Sequence, residues 1–289
     1  MNKQAILITA YKDLYSLRQL ITLFGNNFNF YIHIDKKSKI DTDILKQFDN
    51  VFVSKKYEVN WGGFNHLKAI LFLSKIALEN NENSFFHLIT GEDFPVKSIE
   101  EFLILDQSKN YLDYFEVTGE SGKVWFDRLS SFHLYDFFNA KIEKQKYYID
   151  ILVRLQRKYK IKRSYPDDFP KKIYAGSTYW SLNRDALEYV INYPDKSFLN
   201  RFRYTFCAEE FYFQTLLLNS HWYDTIVKNN LRYYDWDSGR GGYPAFLDET
   251  DFDKLIALKD CFFARKIKSD SVLKEMLVKY ISSNSHNNI

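Results

Sequence analysis

Two adjacent carboxylates, Glu209 and Glu210 in CAEEFYFQTLL, head the residues whose chemistry stands out. Apolar residues follow them at helical spacing, so both acids open a helix. There they either complement the helix dipole or supply a general base. Arg232 in LRYYDW and Lys266 in FFARKIK each flank a β-rich run, and taken singly such cations read as solvated residues at strand ends. Asp35 in YIHIDKKS follows an apolar strand, where its carboxylate either caps a turn or accepts hydrogen bonds from a base or ribose. In VNWGGFNHLKAI, Trp61, Gly62 and Gly63 precede a helix. Glycines there let a ligand approach the backbone, and helix-start amides favour an anion, although a plain tight turn asks for the same residues. HLITGEDFPVKS sets Glu92 and Asp93 together after a strand, superficially a cation site. The DxD triplets fall at 41–43, 235–237 and 251–253, away from that strand, so a resident metal is not expected.

The elements that must position these residues follow from periodicity. Short β-rich runs at Ala5 to Thr9, Phe30 to Ile34, Val51 to Val53 and Phe85 to Ile89 alternate with amphipathic stretches at Leu14 to Phe24 and Phe64 to Leu78. That pattern predicts βα units and a mostly parallel, Rossmann-like α/β sheet flanked by helices. Ligands of such sheets gather at the carboxyl ends of the strands, where TAYKD, HIDKKS and TGEDFP lie. Residues 110–170 are less regular, with a helical stretch near 147–159 and a loop signal at SYPDDFP, and are expected to be an insertion that shapes an acceptor cleft. Beyond it the sequence predicts strands near 173 and 179, helices over 184–191 and 209–218, a glycine-rich loop at DSGRGGYP, a strand near 261–264 and a helix over 271–281. One domain is expected over 1–282, with a disordered tail at 283–289.

Composition bounds the class. Hydrophobic residues make up 46% and charged residues 27%, as in a folded protein. The net charge of +3 is too small for phosphate tracking, so nucleic acid is not expected as a partner. The densest basic stretch, RLQRKYKIKR at 154–163, is either a solvated helix face or a peripheral contact with an anionic membrane surface. Cys207 and Cys261 offer neither a disulfide framework nor a zinc site, which fits a reducing cytoplasm. No Gly-x-Gly-x-x-Gly follows the first strand, and there is no Walker loop, HExxH or serine elbow.

Eight segments in order, ILITAYKDLYSLRQLI, FYIHIDKKS, VNWGGFNHLKAILFL, FFHLITGEDFPVKS, YAGSTYWSLNRDALEYV, AEEFYFQTLLLNS, LRYYDWDSG and FFARKI, resemble the consecutive blocks of the core-2/I-branching family. That family includes β-1,6-N-acetylglucosaminyltransferases and peptide O-xylosyltransferases. The resemblance implies a single-domain A-type glycosyltransferase fold and inverting transfer from a UDP-sugar, with N-acetylglucosamine favoured, without a metal or other cofactor. It implies Glu210 as catalytic base, with Glu209 where the family has Asp. It also implies donor contacts from Asp35, Trp61 and Gly62, and Arg232 and Lys266 on the diphosphate. Asp93, Glu116 and Arg128 fall at acceptor-side positions. Neither the anchor nor the disulfides of animal members are expected of this chain, which looks like a bacterial cytoplasmic relative, peripheral at most to the membrane, with a surface polysaccharide or lipopolysaccharide as acceptor. The rival readings are a metal-dependent transferase using Asp93, a glycoside hydrolase, and an inactive carbohydrate-binding relative.

Overall fold

The computed structural model describes residues 3–165 and 169–284. In chain order the regular elements are β1 (Lys3–Ala10), α1 (Leu14–Phe24), β2 (Phe28–Ile34), β3 (Val51–Ser54), α2 (Phe64–Glu79), β4 (Asn83–Thr90), β5 (Asp93–Pro95), α3 (Ile99–Leu103), β6 (Asn110–Leu112) and β7 (Phe115–Glu116). There follow α4 (Gly119–Ser130), α5 (Glu143–Lys158), β8 (Tyr174–Ala175), β9 (Trp180–Asn183), α6 (Arg184–Asn192), α7 (Lys196–Arg201), α8 (Glu209–Leu218), β10 (Ile226–Val227), β11 (Arg232–Tyr234), α9 (Phe252–Ala257), β12 (Phe263–Arg265) and α10 (Val272–Asn284).

Seven strands form the main sheet in the order β10-β6-β9-β4-β1-β2-β3. The β4-β1-β2-β3 half is parallel, and β9 runs antiparallel to both its neighbours. The sheet is thus the mostly parallel one that the sequence predicts. β2 is buried at every position, as a strand covered on both faces must be, and its near-continuous apolar run is the sequence signature of that burial. One core lies on the α1 and α10 face, and the other on the face covered by α2, α6 and α8. α8 is apolar nearly all round because it is buried nearly all round: nine of its ten residues are inaccessible, Glu210 being the tenth.

A second sheet, β11-β12-β5, abuts the carboxyl end of β4. The stretch expected as an insertion over 110–170 begins inside the main sheet, since β6 pairs with β9 and β10. It also contains α4, which the sequence reading missed; its mixed sequence GESGKVWFDRLS opens on glycine and offers no long apolar stripe. Of the tail expected from 283, residues 283 and 284 end α10, and 285–289 lie outside the described residues, as do 166–168 of the loop at SYPDDFP.

Candidate active site

Glu210 is set by a sharp turn into α8. Cys207 adopts a left-handed backbone at φ 52° and its amide donates to the Gly62 carbonyl at 3.0 Å, which pins the helix start to the loop before α2. Successive helical residues point about 100° apart, so Glu209 and Glu210 leave α8 in different directions. Glu210 faces outward, with 26% of its side chain exposed, and its Oε2 accepts from Arg128 Nη2 at 2.5 Å. Arg128 is itself clamped: Nε and Nη2 donate to the Phe206 carbonyl at 3.1 and 3.0 Å, and the guanidinium lies 4.1 Å over the Trp125 ring. Burial pushes the Glu210 carboxyl above its usual range; Arg128 pulls it down, Glu209 pushes it up, and burial prevails. Arg128, expected on the acceptor, is therefore the direct ion-pair partner of Glu210.

Glu209 points inward and is 4% exposed. Its Oε1 accepts from His66 Nδ1 at 2.8 Å, and His66 Nε2 lies 3.1 Å from the Thr9 hydroxyl at the end of β1. In the neutral ring, Nδ1–H directed at the carboxylate leaves Nε2 to accept from Thr9. The other Glu209 oxygen is buried and has no hydrogen-bond partner among the described residues. The two acids thus divide the work: Glu209 fastens α8 to α2 and β1, and Glu210 meets solvent. Sequence reasoning missed His66 and Thr9, although His66 stands three residues after Gly63 in a segment already singled out.

The cations differ from expectation. Arg232 is 5% exposed and held below the surface, where it donates to the carbonyls of Leu88 (2.7 Å) and Asn230 and to the Ser181 hydroxyl (3.1 Å), while its Nε has no partner among the described residues. Burial lowers it to about 10, and burial, helped by the Arg232 charge, holds the neighbouring His87 well below the usual imidazole range. Engaged in this way the guanidinium anchors β11 to β4 and β9, and the diphosphate role expected for Arg232 gains no support from this arrangement. The cation beside Lys266 is Arg265, which donates to Thr90 Oγ1 at 2.5 Å and lies 3.6 Å from Glu92 and 3.4 Å from Asp93. Lys266 is partly exposed, donates to the Tyr243 carbonyl at 3.2 Å, and is pushed down by burial and by Arg265. Lys12 joins them through Glu92 at 2.8 Å. Although burial raises Glu92, Lys12 and Arg265 hold it below its usual range.

The expected role of Asp93 is corrected. Its side chain is 0% exposed; Oδ2 takes the Thr90 amide (2.5 Å) and hydroxyl (2.8 Å), and Oδ1 faces Arg265. It closes the turn after β4 and is inaccessible to an acceptor or a metal. Asp35, 9% exposed, also closes a turn, accepting from the Lys37 and Val59 amides at 3.0 and 3.2 Å, and it sits at the carboxyl end of β2 as expected. Gly62 has φ 79°, and a Cβ there would overlap the Phe206 ring, so packing as well as backbone conformation requires glycine. Trp61 is 57% exposed, edge-on to Phe206 at 5.0 Å. The anion at the α2 start is the chain's own Asp136, whose carboxylate accepts from the Asn65 amide at 2.9 Å. Glu116 is exposed on β7, opposite Tyr174 on β8.

Thr9, His66 and Glu209 tie α8 to the carboxyl end of β1, Thr90 ties Arg265 to that of β4, and residues 5–255 match the core-2/I-branching enzyme family. The chain belongs to the core-2/I-branching enzyme family. Its relatives include xylosyltransferase 2 of Canis lupus familiaris, 28% identical over 290 aligned positions, covering 90% of this chain and 31% of the relative. The xylosyltransferase of Ciona intestinalis is 24% identical over 287 positions, with the same coverage. The chain spans just under a third of these relatives' length. A solved glycosyltransferase involved in the glycosylation of the major capsid of PBCV-1 aligns over 97% of this chain and 99% of its own, at a TM-score of 0.33 and 10% identity. The helix-flanked, mostly parallel sheet and the family together fit the A-type glycosyltransferase fold.

Proposed function

We propose that the chain transfers a sugar from a UDP-sugar to a hydroxyl of a surface glycan by a single inverting displacement. Glu210 takes the proton of the acceptor hydroxyl as that oxygen bonds to the anomeric carbon, and the bond from that carbon to the diphosphate breaks. The charge on the departing UDP is met by Arg265 and Lys266, which do the electrostatic work of a metal ion. The observation that carries this reading is the outward-facing Glu210 carboxylate, raised by burial and clamped by Arg128 at the start of an otherwise buried helix. A carboxylate raised toward neutrality is a stronger base, and a rigid one is correctly aimed. Trp61 and Asp35 complete the donor side, and Glu116 the acceptor side.

The family resemblance favours N-acetylglucosamine as the donor sugar, and the names of the relatives place xylose beside it. The test is UDP release from UDP-N-acetylglucosamine and UDP-xylose against a glycan acceptor panel, in EDTA and in manganese. Glu210→Gln is expected to lower kcat by about 100- to 10,000-fold. Full turnover by that variant overturns the assignment, and turnover that requires manganese overturns the cation-pair mechanism.

A further inference from the structure

Residues 141–163 hold nine Lys or Arg and two acids, whereas the whole chain carries only +3, so the rest of the protein is net acidic. The charge lies mainly on α5 and the turn after it. α5 buries Ile149 and Gln156 and turns Lys144, Tyr147, Arg154, Leu155 and Lys158 away from the protein, within an arc of about 100°. Tyr147 is 61% and Leu155 43% exposed, and Tyr159 and Ile161 continue the strip at 64% and 49%. A helix face that merely meets water gains nothing from exposed Leu, Ile and Tyr between its lysines. Phosphate polymers satisfy the cations but give the aliphatic side chains no apolar phase. A bilayer with anionic headgroups satisfies both, with tyrosines at the interface and lysines reaching the phosphates.

We propose that α5 and the turn that follows it lie on an anionic lipid surface. The helix is wired to the site: Arg157 pairs with Asp127 of α4 at 2.7 Å, Gln156 accepts from the Phe132 amide at 2.7 Å, and α4 carries Arg128 to Glu210. Docking therefore presents Glu210 near the membrane plane, where the acceptor is a lipid-linked saccharide. The acceptor part rests on Glu210 as the base; the docking does not. No helix among the described residues is long and apolar enough to cross a membrane, so the contact is interfacial.

The test is co-sedimentation of the full chain with vesicles of phosphatidylcholine alone and of phosphatidylcholine with phosphatidylglycerol. Binding is expected only to the anionic vesicles, weakening with added salt. Reversal of Lys144, Arg154 and Lys158 to Glu should weaken it by about 100-fold or more. Tyr147→Ser with Leu155→Ser should weaken it about tenfold or more while leaving the charge unchanged. Melting curves confirm that these variants fold, and turnover on a soluble acceptor should be unaltered. Equal binding to neutral vesicles, unchanged binding by the charge-reversed variant, or capture by a soluble acidic polysaccharide without vesicle binding overturns the docking. Vesicle binding without UDP-sugar turnover on any acceptor overturns the enzymatic reading and leaves the docking standing.

Discussion

Replacing Arg128 by Met removes the cation paired with Glu210 while retaining much of the volume of the stem. In the native site burial and Glu209 push that carboxyl up, and Arg128 and, more weakly, His66 pull it down. With Arg128 gone only the smaller pull of His66 opposes burial and Glu209, so the Glu210 pKa rises further. A base must be ionised to work, so the acid limb of the pH–kcat profile moves to higher pH, and the loss is greatest on the acid side and fades as pH rises. The variant also forfeits a charge-assisted hydrogen bond and leaves the Phe206 carbonyl without its two donors. Together, for side chains 14% and 26% exposed, this costs about 2–3 kcal/mol, below the range for a fully buried pair. Melting should fall by about 4–9 °C.

Linkage has the opposite sign from that of an ordinary salt-bridged acid. A carboxyl raised by folding binds its proton more tightly in the native state, so stability falls as pH climbs from the unfolded value to the folded one. Arg128→Met stretches that window upward. The assay is UDP release from pH 5 to 9 beside thermal melts over the same range. If kcat drops by the same factor at every pH, with the acid limb unmoved, Arg128 does not tune Glu210 and the reasoning fails.

The cations separate cleanly. Arg265→Ala or Lys266→Ala should cost about 3 kcal/mol of transition-state stabilisation, a kcat loss near 100-fold, with Lys266→Ala leaving the melt almost unchanged. Arg232→Met should instead cost about 2–4 kcal/mol of stability by stranding the Leu88 and Asn230 carbonyls, seen as a lower denaturation midpoint; an Arg232 variant that melts normally yet loses UDP binding would restore the original expectation. Gly62→Ala should destabilise by about 2 kcal/mol or more, from the positive φ and the overlap with Phe206. Denaturant titration checks it, and an unchanged midpoint would contradict the packing.

Legibility in the sequence tracked the range of the interactions. β1, β2, β4 and α2 are continuous apolar or amphipathic runs, so their periodicity announced them, and α8 was placed at its observed bounds. Arg232 was not legible because its environment depends on strand register. β11 pairs with β12 so that Arg232 lies opposite Phe263 under the sheet, while Arg265 lies two steps further out, opposite Tyr234 and Asp93. Both cations sat in recognised segments, and only the pairing tells which one surfaces. The same register encloses Asp93, which from sequence alone looked like a ligand.

The two halves of the site meet across one ladder position, and that position explains why both belong to one site. Thr9 of β1 and Thr90 of β4 are partners in the parallel register. From Thr9 the contacts run through His66 to Glu209 and so to the helix start that aims Glu210. From Thr90 they run to Arg265 and its neighbour Lys266. These links join residues 57, 143 and 175 positions apart, which no local pattern encodes. A rigid sheet end therefore fixes Glu210 relative to Arg265 and Lys266, and the proposed transfer requires that fixed relation, because in an inverting displacement the attacking and leaving oxygens lie on opposite sides of one carbon.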